Sequence, residues 1–239
     1  MDDASPTAAA SSLTGSAHAE HPVVVIPGDR ELFRVARSDR PLAESKISVE
    51  DAAQRRAGNR FDVLGGGVLY LGSTALGCYL ETLARLRPTA AMRTLLAEED
   101  PEFMVCGSVP RDWRTRRLQL TVTVPGSLPF LDVEDPRTHE YLTAAMAPPL
   151  AALGVPQLDV SDVRGRDRIV TRAIASWAYA ARDVDGPLYS GIRYLSRHGE
   201  HECWAVFDGT PLTETARTTI ELTTPGFAAA IDTFGLRAF

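Results

Sequence analysis

The stretch from Phe61 to Pro88 constrains the fold most, because two short β-prone runs flank three consecutive glycines and a cappable helix follows directly. Phe61-Asp62-Val63-Leu64 and Val68-Leu69-Tyr70-Leu71 read as strands, and Gly65-Gly66-Gly67 supplies the positive φ values a hairpin loop requires. Ser73 or Thr74 can cap the next helix, in which Leu76, Leu80, Leu83 and then Leu86 or Arg87 keep helical spacing until Pro88 ends it. The expected order is strand, turn, strand, helix.

The rest of the chain does not repeat that order or alternate β and α regularly. Residues 1–22 are mostly Ala, Ser, Thr and Asp with little apolar payload, and are expected to form a disordered tail before a single domain over 23–239. A strand is expected over 31–36, then a polar loop to Ala57. Further strands are expected at 103–106 and at the alternating run 118–124, and Asp135-Pro136 opens a helix near 137–147. An amphipathic helix over 167–182 places Ile169, Ala173, Ile174, Trp177 and Ala181 on one side, with Arg168, Arg172 and Ser176 elsewhere, and Asp185-Gly186-Pro187 breaks it. Gly191-Ile192-Arg193-Tyr194-Leu195 and Cys203-Trp204-Ala205-Val206-Phe207 read as strands joined by a polar turn, and 226–239 reads as a closing helix. No internal repeat is present. The pattern predicts an α+β fold of mixed or antiparallel small sheets with flanking helices, not a doubly wound sheet.

Composition removes whole chemistries. Lys46 is the only lysine among 25 basic residues, and it lies in a polar stretch with no glycine-rich loop before it. A Walker phosphate loop and a Schiff-base lysine are therefore excluded, and any anion gripped by side chain is gripped by arginine, whose fork suits phosphate and carboxylate. The formal charge of −6 argues against nonspecific nucleic-acid binding. Cys78, Cys106 and Cys203 are odd in number and far apart, which fits neither a disulfide framework nor a zinc site. The uncharged stretches 63–80 and 141–158 are interrupted by glycines and prolines, so no membrane helix is expected. With no Lys or Arg before Arg30, a signal peptide is not expected either, and the reading is cytoplasmic.

Several residues are candidates for chemistry. Glu81 follows Gly77 and Cys78 on one helix face, and such small neighbours leave room for a ligand, although periodicity alone favours a solvated glutamate. A short hairpin would bring Arg60 and Tyr70 to the same end of the sheet, beside that helix. His198-Gly199-Glu200-His201-Glu202-Cys203 offers metal-binding atoms, but a glycine turn does not hold histidines as a helical His-Glu-x-x-His does, so a polar turn and no metal are expected. The arginines around Trp113, and those from Arg164 to Arg172, are interrupted by Asp112, Asp162 and Asp167 and read as solvated faces. No Gly-x-Ser-x-Gly elbow is present.

Taken in order, Phe33-Arg34-Val35, Gly58-Asn59-Arg60-Phe61-Asp62, Val68-Leu69-Tyr70-Leu71, Ala75 to Glu81-Thr82-Leu83, Asp185-Gly186 and Gly191-Ile192-Arg193-Tyr194-Leu195-Ser196-Arg197 resemble the RES domain. The resemblance spans about 30–210 and leaves 211–239 as a C-terminal strand/helix extension. It implies a fold similar to ADP-ribosyltransferases and an enzyme that consumes NAD by breaking the nicotinamide–ribose bond, with NAD as substrate and no metal. Many members are bacterial toxins paired with a small Xre-like antitoxin, so such a partner is implied. Glu81, Arg60, Tyr70 and Ser196 correspond to the family's catalytic set. Arg34 and Arg60 are the expected holders of the pyrophosphate, with Tyr70 against nicotinamide and Ser196 as a hydrogen-bonding group. The altered flanks at Asn59 and Leu195 motivate an alternative, a non-catalytic NAD or ADP-ribose binding module. A homo-oligomer is compatible with either reading.

Overall fold

The computed structural model describes residues 20–96 and 107–239; the tail up to residue 19 and the strand expected at 103–106 lie outside them. The strands are β1 (Val24–Val25), β2 (Leu32–Arg37), β3 (Val68–Gly72), β4 (Ser108–Val109), β5 (Arg117–Thr123), β6 (Phe130–Asp132), β7 (Arg182–Asp183), β8 (Gly186–Pro187), β9 (Gly191–Leu195), β10 (Glu202–Phe207), β11 (Thr213–Thr219) and β12 (Arg237–Ala238). The helices are α1 (Val49–Ala52), α2 (Ala75–Leu83), α3 (Ala90–Leu96), α4 (Arg111–Thr115), α5 (Pro136–Ala145), α6 (Ala147–Ala152), α7 (Val160–Arg164), α8 (Arg168–Ala180) and α9 (Pro225–Phe234), and a 3-10 turn at Ala84–Leu86 continues α2.

The expected α+β class holds, but most strands gather into one sheet of eight in the order β1-β6-β9-β10-β3-β2-β5-β11, beside two two-stranded sheets. Within the large sheet only β6 and β9 run parallel. Strands β3 and β10 are buried on both faces, which explains their nearly continuous apolar sequences. On one side Val68, Ile192, Tyr194, Ala205 and Phe207 pack against Leu142, Leu150, Val170, Ile174 and Ala178 from α5, α6 and α8. On the other, Leu69, Leu71, Trp204 and Val206 meet Leu32, Leu118, Leu120 and Val122 of β2 and β5.

That second contact requires a sharp bend. Strand β2 runs along the whole length of β5 but joins β3 through a single pair, Phe33 with Gly72. Beyond it the two strands part, and β2, β5 and β11 fold across the centre of the sheet. Helix α2, capped by the Thr74 side chain accepting from the Gly77 amide, lies beside the parting and is backed by α9, where Tyr79 meets the Phe227 ring at 5.6 Å.

Three sequence expectations are corrected. Residues 61–64 are not a hairpin strand: Phe61, Asp62 and Val63 are buried in succession, and Leu64 makes only an isolated bridge to Ile47. The β3 edge a hairpin partner would need is occupied by Ser45, which exchanges two main-chain hydrogen bonds with Val68, at 2.8 and 3.0 Å. The buried face of α8 is rotated from the expected one and consists of Val170, Thr171, Arg172, Ile174, Ala175 and Ala178. The closing helix stops at Phe234, and the chain then adds β12 alongside β4. Strand β11 lies within the strand/helix extension expected over 211–239; all seven of its residues are exposed and carry no apolar alternation.

Gly191 marks where β9 and β10 approach too closely for a side chain: a Cβ there would lie 2.1 Å from the Ala205 carbonyl oxygen and 2.6 Å from the Phe130 ring. Gly191→Ala is expected to destabilise the protein by roughly 1–3 kcal/mol, the usual range for overpacking a filled core. A thermal melt within a degree or two of wild type would show that the sheet yields there.

Candidate active site

The parting of β2 from β3 opens a cleft of about 600 Å³, floored by Tyr70, Leu71 and Gly72 and walled by β2, α2 and the loop that includes Arg40, Ala43, Glu44 and Ser45. Arg34 holds this opening in shape. Its Nε and two Nη atoms donate to the carbonyls of Pro41, Tyr70 and Ala43, each at 2.9 Å. The Tyr70 carbonyl would otherwise lack its ladder partner, so the guanidinium takes the place of a sheet hydrogen bond. Arg34 therefore lines the cleft with most of its fork engaged by main chain.

Glu81 stands on α2 at the cleft, exposed. Ser196 leaves the end of β9 and is buried; its hydroxyl donates to Glu81 Oε1 at 2.7 Å. The same Oγ accepts from the His198 amide at 3.0 Å, and the Ser196 amide donates to the His201 carbonyl at 2.8 Å. The expected polar turn thus holds one serine in place, and Oε2 of Glu81 accepts no hydrogen bond from a described residue.

Arg60 is only 8% exposed. Its Nη1 donates to the Leu195 carbonyl at 3.3 Å, and its guanidinium lies 5.0 Å from the Tyr194 ring centroid. Arg60 therefore sits under the residues leading to Ser196 rather than on the cleft wall. Gly58, at φ +63, turns the chain so that the Asn59 amide donates to Asp62 Oδ2 at 2.5 Å. Asp62 Oδ1 in turn accepts from the Tyr70 hydroxyl at 2.9 Å, and that hydroxyl accepts from the Phe61 amide at 3.1 Å. Burial first, and then the Asp62 charge, push the Tyr70 phenol well above its ordinary value. Tyr70 is thereby fixed as a neutral ring on the cleft floor. The hairpin was wrong, yet Arg60 and Tyr70 are still neighbours through Phe61.

Other groups near the site are poor nucleophiles. Burial pushes the Cys78 thiol up to about 12, and Cys203 is raised by burial and then by Glu81, so neither presents a thiolate at neutral pH. Burial lowers the His198 imidazole and the Glu81 carboxylate opposes that shift; the ring also meets Phe234 of α9 at 5.7 Å. Among the described residues, no group of three or more His, Cys, Asp or Glu side chains is placed to hold a metal ion, and no helix is long and apolar enough to cross a membrane. Sequence reasoning gave no role at this site to Asp62 and His198 and missed the cleft arginines Arg37, Arg40 and Arg85. The one available signal was the i, i+4 spacing of Glu81 and Arg85.

The RES domain family model matches residues 31–225. The chain belongs to the RES domain family. The RES match takes in β2 through β11, including Glu81 and Ser196, and ends at the first residue of α9. It thus runs past the expected limit near 210. Among solved structures, a chain of the M. tuberculosis MbcT–MbcA toxin–antitoxin complex is 14% identical with a TM-score of 0.45, over 87% of this chain and 90% of that one. No curated protein matches this RES domain chain.

Proposed function

We propose that this RES domain chain is an NAD-consuming enzyme that breaks the nicotinamide–ribose bond, and that it is the toxin of a toxin–antitoxin pair. The observation that carries the enzyme reading is the 2.7 Å hydrogen bond from Ser196 to Glu81, at the edge of a cleft whose volume suits a small-molecule site. When the C1′–N bond breaks, its electron pair leaves with nicotinamide and positive charge develops on the ribosyl carbon and ring oxygen. Ser196 fixes one oxygen of Glu81. The other is left to face that charge or to accept from a ribose hydroxyl, an arrangement that needs little reorganisation as the bond breaks. The Tyr70 ring, anchored through Asp62, offers a flat surface to nicotinamide, and Arg60 holds the main chain that presents Ser196. The toxin role rests on family membership.

Nicotinamide release from NAD by the purified chain, with mass spectrometry of the ribose-containing product, tests the reading and separates water, phosphate and protein side chains as acceptors. Binding of NAD without release would favour the non-catalytic module. Ser196→Ala removes a charge-assisted hydrogen bond of about 1.5–3 kcal/mol and is expected to slow release roughly ten- to a hundredfold. An unchanged rate would remove Ser196 from the site.

A further inference from the structure

Glu81 and Arg85 stand four residues apart in the order that favours a helical ion pair. They form none: Glu81 is turned to Ser196, and Arg85 lies in the 3-10 turn that follows α2. Arg85 instead lines the cleft together with Arg37 and Arg40. Arg37 lies directly opposite Arg117 in the β2–β5 ladder, a like-charge pairing that costs stability. Arg117 lies behind this arm, its guanidinium 4.7 Å from the Trp113 ring centroid; burial, then the charges of Arg85 and Arg37, push it below its ordinary value.

Apart from Glu81, which Ser196 engages through one oxygen, the nearby carboxylates do little to offset this charge. Asp112 is paired with Arg116 at 3.6 Å, and the Glu44 carboxylate is turned against Gly67, where a Cβ would meet its Oε2 at 2.0 Å. The side chains of Arg37, Arg40 and Arg85 make no hydrogen bond or ion pair with a described residue. Unpaired like charges that line one cleft arm form a site for an anion of more than one charge. The arm begins one helical turn from Glu81, so an anion there would belong to the same ligand as the ribose at Glu81.

We propose that Arg37, Arg40 and Arg85 hold the diphosphate of the dinucleotide, an assignment that rests on the NAD reading and moves phosphate binding away from Arg34 and Arg60. The probe is ADP-ribose, which carries the diphosphate but no bond to cleave, titrated calorimetrically at two salt concentrations. Arg37→Gln and Arg85→Gln are each expected to weaken binding about tenfold, and the double variant more, with a shallower salt dependence. Arg111→Gln, which removes an equal charge outside the cleft, serves as the control, and thermal melts confirm folding.

Binding by the double variant as tight as by Arg111→Gln overturns the assignment, as does a wild type that releases nicotinamide but has no affinity for ADP-ribose. A wild type that binds ADP-ribose through these arginines but releases no nicotinamide keeps the arm and sinks the enzyme reading. A wild type that does neither sinks both.

Discussion

Glu81→Gln is expected to cut nicotinamide release by about a hundredfold or more, the scale set by losing one preorganised electrostatic partner of a transition state. The amide keeps the size of the side chain and an oxygen that can accept from Ser196, so the local geometry survives. What it lacks is the negative charge facing the developing ribosyl cation. That charge matters more in the transition state than in bound NAD, where the positive charge sits on the nicotinamide ring, so the loss should fall on kcat with KM little changed. Because Glu81 is exposed, its replacement should shift the melting temperature by only about 1–2 °C. Ser196→Ala acts through the same carboxylate, and the double variant should be little worse than Glu81→Gln alone. Multiplied losses would mean that the two residues act separately, and a Gln variant with wild-type kcat would remove Glu81 from the chemistry.

The sequence made α2 legible because everything that forms it is local: the Thr74 cap, the leucine spacing and Pro88. The pairing of Glu81 with Ser196 is different in kind. It joins residues 115 positions apart, and no spacing rule reaches that far; only the family resemblance named both. Local reading failed where tertiary partners override local pattern. Residues 61–64 have strand composition, but Ser45 already occupies the edge they would need. Arg172 has the sequence context of a solvated cation, yet it is 6% exposed because the carbonyls of Ala52, Gln54 and Ala57 accept from its guanidinium. A single arginine symbol thus stands for a main-chain clamp at 34, a buried support at 60 and 172, and a cleft wall at 37 and 85. Which role each takes depends on acceptors brought from distant segments. The bounds of strand β11 were illegible for the opposite reason, since both its faces meet water and leave no apolar alternation.

Asp62→Ala is expected to cost about 3–4 kcal/mol of stability, the range for removing one partner of a buried charged hydrogen-bond network, or roughly 10 °C in melting temperature. Asp62 is 1% exposed and accepts from the Asn59 amide and the Tyr70 hydroxyl. Alanine would leave the Tyr70 hydroxyl and the partly buried Asn59 amide without their acceptor, while the Phe61 amide keeps its bond to a tyrosine no longer held. Asp62→Asn retains a carbonyl oxygen and should lose less than half as much. Tyr70→Phe on the Asp62→Ala background removes one of the stranded donors, so the two substitutions together should cost less than the sum of their separate effects. Strict additivity in that cycle would show that the Tyr70–Asp62 hydrogen bond contributes nothing. The same network links stability to the site: Asn59, Phe61 and Asp62 flank Arg60, and Tyr70 forms the cleft floor, so Asp62→Ala should also reduce nicotinamide release at temperatures where the chain remains folded. A folded Asp62→Ala variant with wild-type turnover would mean that the cleft floor keeps its geometry without the carboxylate that anchors it.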